Sequence, residues 1–183
     1  MKFCVAIDLG ASSGRVAMGY LDSGTLVIKE IHRFKIDVNN FQDRGLHWEW
    51  SKIVEEVKLG LYKAQDLGEI ISIGIDTWAV DYGLIDSQGE LLEDPYCYRD
   101  GRTDGLIDAI SNSIGAEWIY SRTGIQFIFF NTAYQLYSAR DTTALKSAST
   151  FLMLPDLLNF VLVVLAAGLD TRYKSKRFRC PDA

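Results

Sequence analysis

The chain has 183 residues, of which 48% are hydrophobic, and this length suits one domain of about 100–200 residues with a substantial core. Nineteen lysines and arginines face 24 aspartates and glutamates, and the resulting net charge of −5 disfavours nucleic acid as a partner. Three widely spaced cysteines, Cys4, Cys97 and Cys180, fit neither a zinc site nor a redox pair, and the N-terminal residues lack a signal-peptide pattern, so we expect a cytoplasmic protein.

The predicted elements begin with three strands, Phe3–Leu9, Val16–Leu21 and Thr25–Phe34, which are rich in β-branched and aromatic residues. Because short, turn-rich breaks join these strands, we expect them to pair as an antiparallel meander. Apolar residues at helical spacing predict a helix over Trp50–Leu67. The apolar run Ile70–Asp76 then predicts a buried strand that lies parallel to the first.

A further strand is predicted at Val80–Ile85, followed by three helices over Thr103–Ile114, Ala116–Arg122 and Thr132–Leu145. This order of elements predicts an α/β domain of the ribonuclease-H-like type, the fold of actin- and hexokinase-type ATPases. We expect a mixed five-stranded sheet flanked by helices. Fold alone does not assign function, so the function must be argued from individual residues.

The end of the chain changes character. Residues Phe160–Leu169 are strongly apolar, but they supply about half of the ~20 residues that a membrane-spanning helix needs, so a buried helix or a mispacked end is the favoured interpretation. Residues Asp170–Ala183 turn basic and lose apolar periodicity, which predicts a disordered or foreign tail.

The stretch from Asp8 to Arg15 joins the first two predicted strands. Gly10 and Gly14 are expected to allow positive φ and close backbone approach, so that main-chain N–H groups can point at phosphate oxygens. Asp8 at the strand end suits Mg²⁺, and Arg15 can offset phosphate charge. The candidate phosphate-binding residues are therefore Ala11, Ser12, Ser13, Gly14 and Arg15. The alternative is an ordinary hairpin turn, since glycine and serine occur in most turns.

A second group of polar residues follows the predicted strand at residues 70–76. If that strand lies beside the first, Asp8 and Asp76 face one cleft, because ligands gather at the carboxyl ends of parallel strands. Trp78 either stacks on a sugar or packs in the core. Asp81 either binds sugar hydroxyls or is a solvated strand residue.

A two-metal nuclease is the competing interpretation, because carboxylates on the first and fourth strands of such a sheet could hold two cations. The negative net charge opposes duplex binding, and the segment Gly10–Arg15 would have no purpose in a nuclease. We therefore favour phosphate and sugar binding.

Five segments together carry a resemblance to a known family. Their order and spacing resemble the FGGY family of carbohydrate kinases, and within it the members that act on L-rhamnulose. The similarity covers roughly Lys2 to Asn159. The segments are Asp8–Arg15, Glu30–Phe34, Ser72–Trp78, Tyr98–Asp100 and Ser121–Phe127.

The resemblance implies transfer of the ATP γ-phosphoryl group to the 1-hydroxyl of L-rhamnulose, with Mg²⁺. It matches Ala11 to Arg15 with the ATP-binding segment, and Asp8 with the metal-associated acid. Trp78 and Ala79 match the sugar-contacting turn, although family members often carry glycine at the second position. The same match implies that Phe130 lies near the sugar entrance, and from its chemistry we add Asp81 to the candidate sugar-binding residues.

The family pattern also has a second domain, which supplies the catalytic base and the adenosine pocket. The resemblance therefore predicts no catalytic base in this chain. It implies that the chain alone lacks turnover. We expect a kinase N-terminal domain over residues 1–159, an aberrant tail over residues 160–183, and no second domain. A non-catalytic sugar- or nucleotide-binding module, another ketose kinase such as one for xylulose, and self-association through an uncovered interdomain face stay open.

Overall fold

The computed structural model describes residues 1–42 and 44–166. The first half of the chain forms five strands, one helix and a sixth strand, and helices dominate the second half. The strands are β1 Lys2–Leu9, β2 Ser13–Asp22, β3 Thr25–Lys35, β4 Val38–Phe41, β5 Gly45–Trp48, β6 Glu69–Thr77, β7 Tyr82–Ile85 and β8 Thr150–Met153. The helices are α1 Trp50–Gln65, α2 Leu106–Ile114, α3 Ala116–Thr123, α4 Thr132–Ala139, α5 Thr143–Ser147 and α6 Leu154–Ala166, with a 3₁₀ turn at Gly101–Thr103.

The principal sheet has the strand order β3-β2-β1-β6. Strand β2 is antiparallel to both β1 and β3, whereas β6 is parallel to β1. The predicted meander and the predicted parallel strand are therefore confirmed, and so is the mixed α/β fold class. The sheet reaches its mixed topology because α1 carries the chain back to the starting edge before β6 begins.

In the described residues the principal sheet has four strands, so the prediction of a fifth strand is wrong. Strand β7 pairs antiparallel with β8 in a separate two-stranded sheet, where Tyr82 lies opposite Met153. The strand also starts at Tyr82 rather than at Val80, because Val80 has a φ of 71° and cannot continue an extended chain. The backbone turns at this point and leads away from β6.

Two further differences concern local signals. The predicted helix over residues 132–145 is divided into α4 and α5, because Thr142 caps the second helix with its side chain, which accepts a hydrogen bond from Leu145 N at 3.2 Å. The hairpin of β4 and β5 was not predicted. Its residues lack a strict alternation of apolar and polar side chains.

The core lies between the principal sheet and α1. Every second side chain of β1, from Phe3 to Leu9, is buried in the same core cluster as the apolar face of the helix. Gly60 lets α1 approach closely, because a Cβ there would lie 2.4 Å from Val16 Cγ2. Each fully buried aliphatic side chain of this layer contributes about 1.5–3 kcal/mol to folding. This packing fixes the strand ends that carry the candidate site.

Helix α6 runs without a break through Asn159 and Phe160 to Ala166, and Leu154, Leu157 and Leu158 are fully buried. Gly83 lets this helix pack closely on β7, because a Cβ there would lie 2.6 Å from Leu157 Cδ2. No helix of residues 1–42 and 44–166 combines the length and the apolarity that crossing a membrane requires. Residues 167–183, on which most of the predicted aberrant tail falls, lie outside the described residues.

Candidate functional site

The segment after β1 forms a tight turn that carries exposed main-chain amides. Gly10 N donates to Ser13 O at 2.9 Å, and Ile36 N donates to Ser12 O at 3.1 Å, which holds the turn against the end of β3. Within the described ranges, the amides of Ala11 and Ser12 make no hydrogen bond to protein. Two adjacent N–H groups at a sheet edge are what an anion-binding turn requires.

The predicted positive φ of the two glycines is wrong, and close approach of their backbone to a phosphate stays a prediction. Neither Gly10 nor Gly14 has a positive φ. Gly14 lies inside β2, and a Cβ on it would sit 2.3 Å from Phe34 Cζ and 2.9 Å from Leu9 Cδ2. The ring of Phe34 fills the space that glycine leaves, so this glycine serves the packing of β2 on β3.

Charged side chains form a row across the sheet beside this turn. Asp8 is in register with Asp76 on β6 and with Arg15 on β2, so the three side chains share one face. Arg15 Nε lies 3.0 Å from Asp8 Oδ2, and both side chains are nearly half-exposed. The predicted adjacency of Asp8 and Asp76 is thus confirmed. No group of three or more His, Cys, Asp or Glu ligands occurs in the part of the chain that the structure describes.

The turn at residues 78–81 leaves the same edge of the sheet. Thr77, the last residue of β6, is in register with Leu9, the last residue of β1, so both loops begin side by side. Thr77 Oγ1 donates to Trp78 O at 2.9 Å and starts the turn. Ala79 is exposed at its tip, and Val80 adopts the left-handed conformation described above.

Asp81 ends this turn as a completely buried carboxylate. Its Oδ2 accepts from Trp48 Nε1 at 2.7 Å, from Trp78 Nε1 at 2.9 Å and from Tyr98 N at 3.2 Å, while Oδ1 accepts from Gln135 Nε2 at 3.0 Å. Burial raises the pKa of Asp81 above its usual value, and these hydrogen bonds act in the opposite direction.

The expectation that Asp81 is a solvated strand residue is therefore wrong. Direct contact between Asp81 and a sugar stays a prediction that the geometry does not favour, because protein donors occupy both oxygens. The arrangement instead lets Asp81 hold the indole of Trp78 in one orientation.

Aromatic rings link Trp78 to Phe130. The ring centroids of Trp78 and Trp48 are 4.3 Å apart, those of Trp48 and Tyr98 are 6.1 Å apart, and those of Tyr98 and Phe130 are 5.6 Å apart. Trp48 is fully buried, whereas Trp78 and Phe130 are half-buried and keep part of each ring accessible. Packing and ligand contact are thus compatible for both of these residues.

Sequence reasoning missed Gln135 and the strained backbone of Val80. Gln135 is 1% exposed, and its Nε2 lies within hydrogen-bond distance of three oxygens of the site, at Val80, Asp81 and Phe130. The available signal was a single amide residue at a helical position flanked by Tyr134 and Leu136, where an apolar side chain is expected. No sequence signal marks the positive φ of Val80.

The family comparison bears directly on this arrangement. The profile of the N-terminal domain of the FGGY family of carbohydrate kinases matches residues 3–166. The chain belongs to this family. The match includes the loop at residues 10–12, the turn at residues 78–81 and Gln135. It also extends into helix α6 beyond the domain limit predicted at Asn159.

Curated relatives of this FGGY chain include two rhamnulokinases. The protein from Ligilactobacillus salivarius is 43% identical over 165 residues, which cover 88% of this chain and 33% of the relative. The protein from Bacillus subtilis is 45% identical over 160 residues, which cover 86% of this chain and 32% of the relative. The chain therefore spans about a third of the length of the curated relatives it matches.

Solved structures share the fold of this FGGY chain. A xylulose kinase from Rhodospirillum rubrum aligns with a TM-score of 0.71 at 14% identity, covering 87% of this chain and 34% of that one. The glycerol kinase of Plasmodium falciparum with ADP aligns with a TM-score of 0.65 at 16% identity, covering 90% of this chain and 34% of that one. At these identities the likeness establishes the fold alone.

Proposed function

We propose that the chain forms the part of a kinase that binds the nucleotide phosphates and the sugar, and that this kinase phosphorylates L-rhamnulose at its 1-hydroxyl. One observation carries the proposal. The loop at residues 10–12 follows β1 and the turn at residues 78–81 follows β6, and these strands are parallel neighbours whose carboxyl ends lie side by side. A phosphate donor and an acceptor sugar bound there would be neighbours, as phosphoryl transfer requires. The similarity to rhamnulokinases supports L-rhamnulose as the sugar.

The residues beside the loop fit ATP with Mg²⁺. The unbonded amides of Ala11 and Ser12 suit phosphate oxygens, and the hydroxyls of Ser12 and Ser13 add donors. Asp8 offers a partly exposed carboxylate for the cation, and Arg15 supplies a positive charge beside it. Bound Mg-ATP would supply the phosphoryl group, and these residues would bind and orient it.

On the acceptor side, the half-buried ring of Trp78 offers an aromatic face to a sugar, with Phe130 at the other end of the row of rings. Ala79, next to Trp78 in the chain, is exposed and can present its backbone to hydroxyl groups. A two-metal nuclease is less well supported, because the net charge of −5 opposes the binding of a nucleic acid.

We expect this chain to bind its ligands without turning them over, because it spans about a third of its relatives and phosphoryl transfer needs groups on both sides of a closed site. Calorimetric titration with L-rhamnulose and with Mg-ATP tests binding, and ADP release in the presence of both tests turnover. If the chain binds neither L-rhamnulose nor Mg-ATP, the proposed function is contradicted. Sustained ADP release contradicts the absence of turnover, and tight sugar binding alone favours a sugar-sensing module.

The exposed edge of the principal sheet supports a second copy of this chain as a partner. Strand β6 is the edge of the principal sheet in the described residues, and Ile71 and Ile73 on it are 56% and 47% exposed. An uncovered apolar edge strand is suited to pairing with another copy. Light scattering tests this, and replacing Ile73 with lysine should return an associated sample to monomer.

A further inference from the structure

The side chain of Gln135 lies at the junction of the segments assigned to the sugar site. Its Nε2 lies 3.2 Å from Val80 O, 3.0 Å from Asp81 Oδ1 and 3.0 Å from Phe130 O. Its Oε1 accepts from Arg102 Nη2 at 2.7 Å, which fixes which end of the amide faces the turn. All three acceptors of Nε2 therefore belong to the turn at residues 78–81 or to Phe130.

The backbone that Gln135 holds is strained. Val80 is β-branched and has a φ of 71°, a conformation that such residues rarely adopt. The Val80 carbonyl receives hydrogen bonds from Thr132 Oγ1 at 2.9 Å and from Gln135 Nε2. Because an unfavourable conformation persists only where the surroundings determine it, helix α4 supplies the restraint that keeps the turn in place.

The same amide acts on the aromatic rings through Asp81. Gln135 Nε2 donates to Asp81 Oδ1, and Asp81 Oδ2 accepts from Trp78 Nε1, so the orientation of the indole depends on the position of the amide. The hydrogen bond from Gln135 Nε2 to Phe130 O ties the backbone of Phe130 to the same amide. The amide therefore also positions the ring of Phe130, the other accessible ring of the row.

We propose that Gln135 is a positioning residue of the sugar site, which holds the ring of Trp78, the exposed tip at Ala79 and the ring of Phe130 in one arrangement. The role in sugar binding rests on the proposed function. The positioning itself concerns only residues of this chain, so it can be tested separately.

Two variants of Gln135 separate the donor from the bulk of the side chain. Gln135→Met keeps the length and removes both polar ends. Gln135→Glu keeps the size and the acceptor for Arg102, but it places a carboxylate against three oxygens. The matched control is Ser138→Ala on the same helix, which removes the bond from Ser138 Oγ to Arg102 O and leaves the turn untouched.

The direct readout is ¹⁹F NMR of protein labelled with 5-fluorotryptophan, with the Trp78 resonance assigned from Trp78→Phe. We expect the Trp78 resonance to shift or broaden in both Gln135 variants, while the resonance of exposed Trp118 stays in place. Ser138→Ala should leave both resonances unchanged. An unchanged Trp78 resonance in Gln135→Glu and Gln135→Met would overturn the positioning role.

The second readout is ligand affinity by calorimetry. Both Gln135 variants should weaken L-rhamnulose binding by about tenfold, the loss expected when one hydrogen-bonded contact is misplaced, and leave Mg-ATP affinity within about twofold. Equal losses for both ligands would indicate general destabilisation and contradict the proposal. If the unmodified chain binds no sugar, the sugar-binding part of the proposed function fails, and the Trp78 resonance still decides the positioning.

Thr132→Val provides an independent variant if the Gln135 variants fold poorly. It removes one of the two hydrogen bonds to Val80 O and keeps the β-branched shape. We expect a smaller change of the Trp78 resonance in the same direction. A Thr132→Val protein whose Trp78 resonance and sugar affinity both match the unmodified chain would contradict the restraint that we assign to helix α4.

Discussion

The two loops at the carboxyl edge of β1 and β6 are held by different means. The loop at residues 10–12 depends on main-chain bonds with the strands that flank it, through Ser13 and Ile36. The turn at residues 78–81 depends on side chains far along the chain, with Trp48 33 positions before Asp81 and Gln135 55 positions after Val80.

This difference predicts how each region responds to substitution. A loop that uses its own backbone can lose a side chain and keep its shape, so changes there should alter ligand binding more than stability. A turn that buries a carboxylate among four donors is part of the core, so changes there should alter both.

The largest effect is expected for Asp81→Ala. The change leaves the N–H groups of Trp48, Trp78 and Tyr98 without their acceptor, and we expect the free energy of unfolding to fall by about 3–5 kcal/mol. Urea unfolding followed by circular dichroism measures it.

Asp81→Asn is the matched control, because it keeps an oxygen for the three donors at Oδ2 and loses only the acceptor for Gln135. Its cost should be about 1–2 kcal/mol. If both variants were as stable as the unmodified chain, the turn would not be part of the core, and the contrast between the two regions would disappear.

Gly14→Ala should have the next largest effect, although Gly14 lies in the segment assigned to phosphate. The added methyl group would collide with Phe34 and Leu9, and overpacking of this kind costs about 1–3 kcal/mol. Gly19→Ala on the same strand is the control, since the nearest atoms there are 4.0 Å from the new Cβ.

The double variant Gly14→Ala, Phe34→Leu sharpens this test. If Gly14 is required for packing against Phe34, a smaller side chain at residue 34 should recover part of the stability that Gly14→Ala loses. Thermal unfolding of the single and double variants measures the coupling between the two sites. Additive losses would mean that the glycine has another purpose.

Much of the fold could be predicted because its signals are local. The alternating apolar residues of β1 and the helical spacing in α1 identify both elements, and short turns force β1 to β3 into a meander. The fifth strand was misplaced for the opposite reason. Residues 80–85 have strand-like composition, but the conformation of Val80 and the pairing of β7 with β8 are set by distant contacts.

The candidate site divides in the same way. Asp8 and Asp76 could be placed together because each ends an apolar strand, and adjacency follows from the topology. Asp81 could not be distinguished from a solvated residue, since its partners Trp48 and Gln135 come from other elements. Gln135 gave almost no signal, because a single buried amide on a short helix resembles any surface residue in sequence.

A smaller effect is expected in the pH dependence of stability. Burial raises the pKa of Asp81 above its ordinary value of 3.8, so the folded protein holds this proton more tightly than the unfolded chain. The contribution of this group is therefore fully present below pH 3.8 and is lost as the pH rises through the folded-state pKa. Asp81→Asn should remove this part of the pH dependence. Parallel curves of unfolding free energy against pH for the two proteins would contradict it.

The smallest effect on stability is expected for Asp8→Asn. The pair of Asp8 and Arg15 is 46% and 41% exposed, and ion pairs of this kind contribute about 0–1 kcal/mol. Mg-ATP affinity should nevertheless fall by about tenfold, since a neutral amide is a poorer ligand for Mg²⁺ than a carboxylate. Glu69→Gln, which breaks the exposed pair with Lys2, is the control and should leave Mg-ATP binding unchanged. A large loss of stability in Asp8→Asn with unaltered nucleotide affinity would reverse the contrast, because the phosphate side would then be structural.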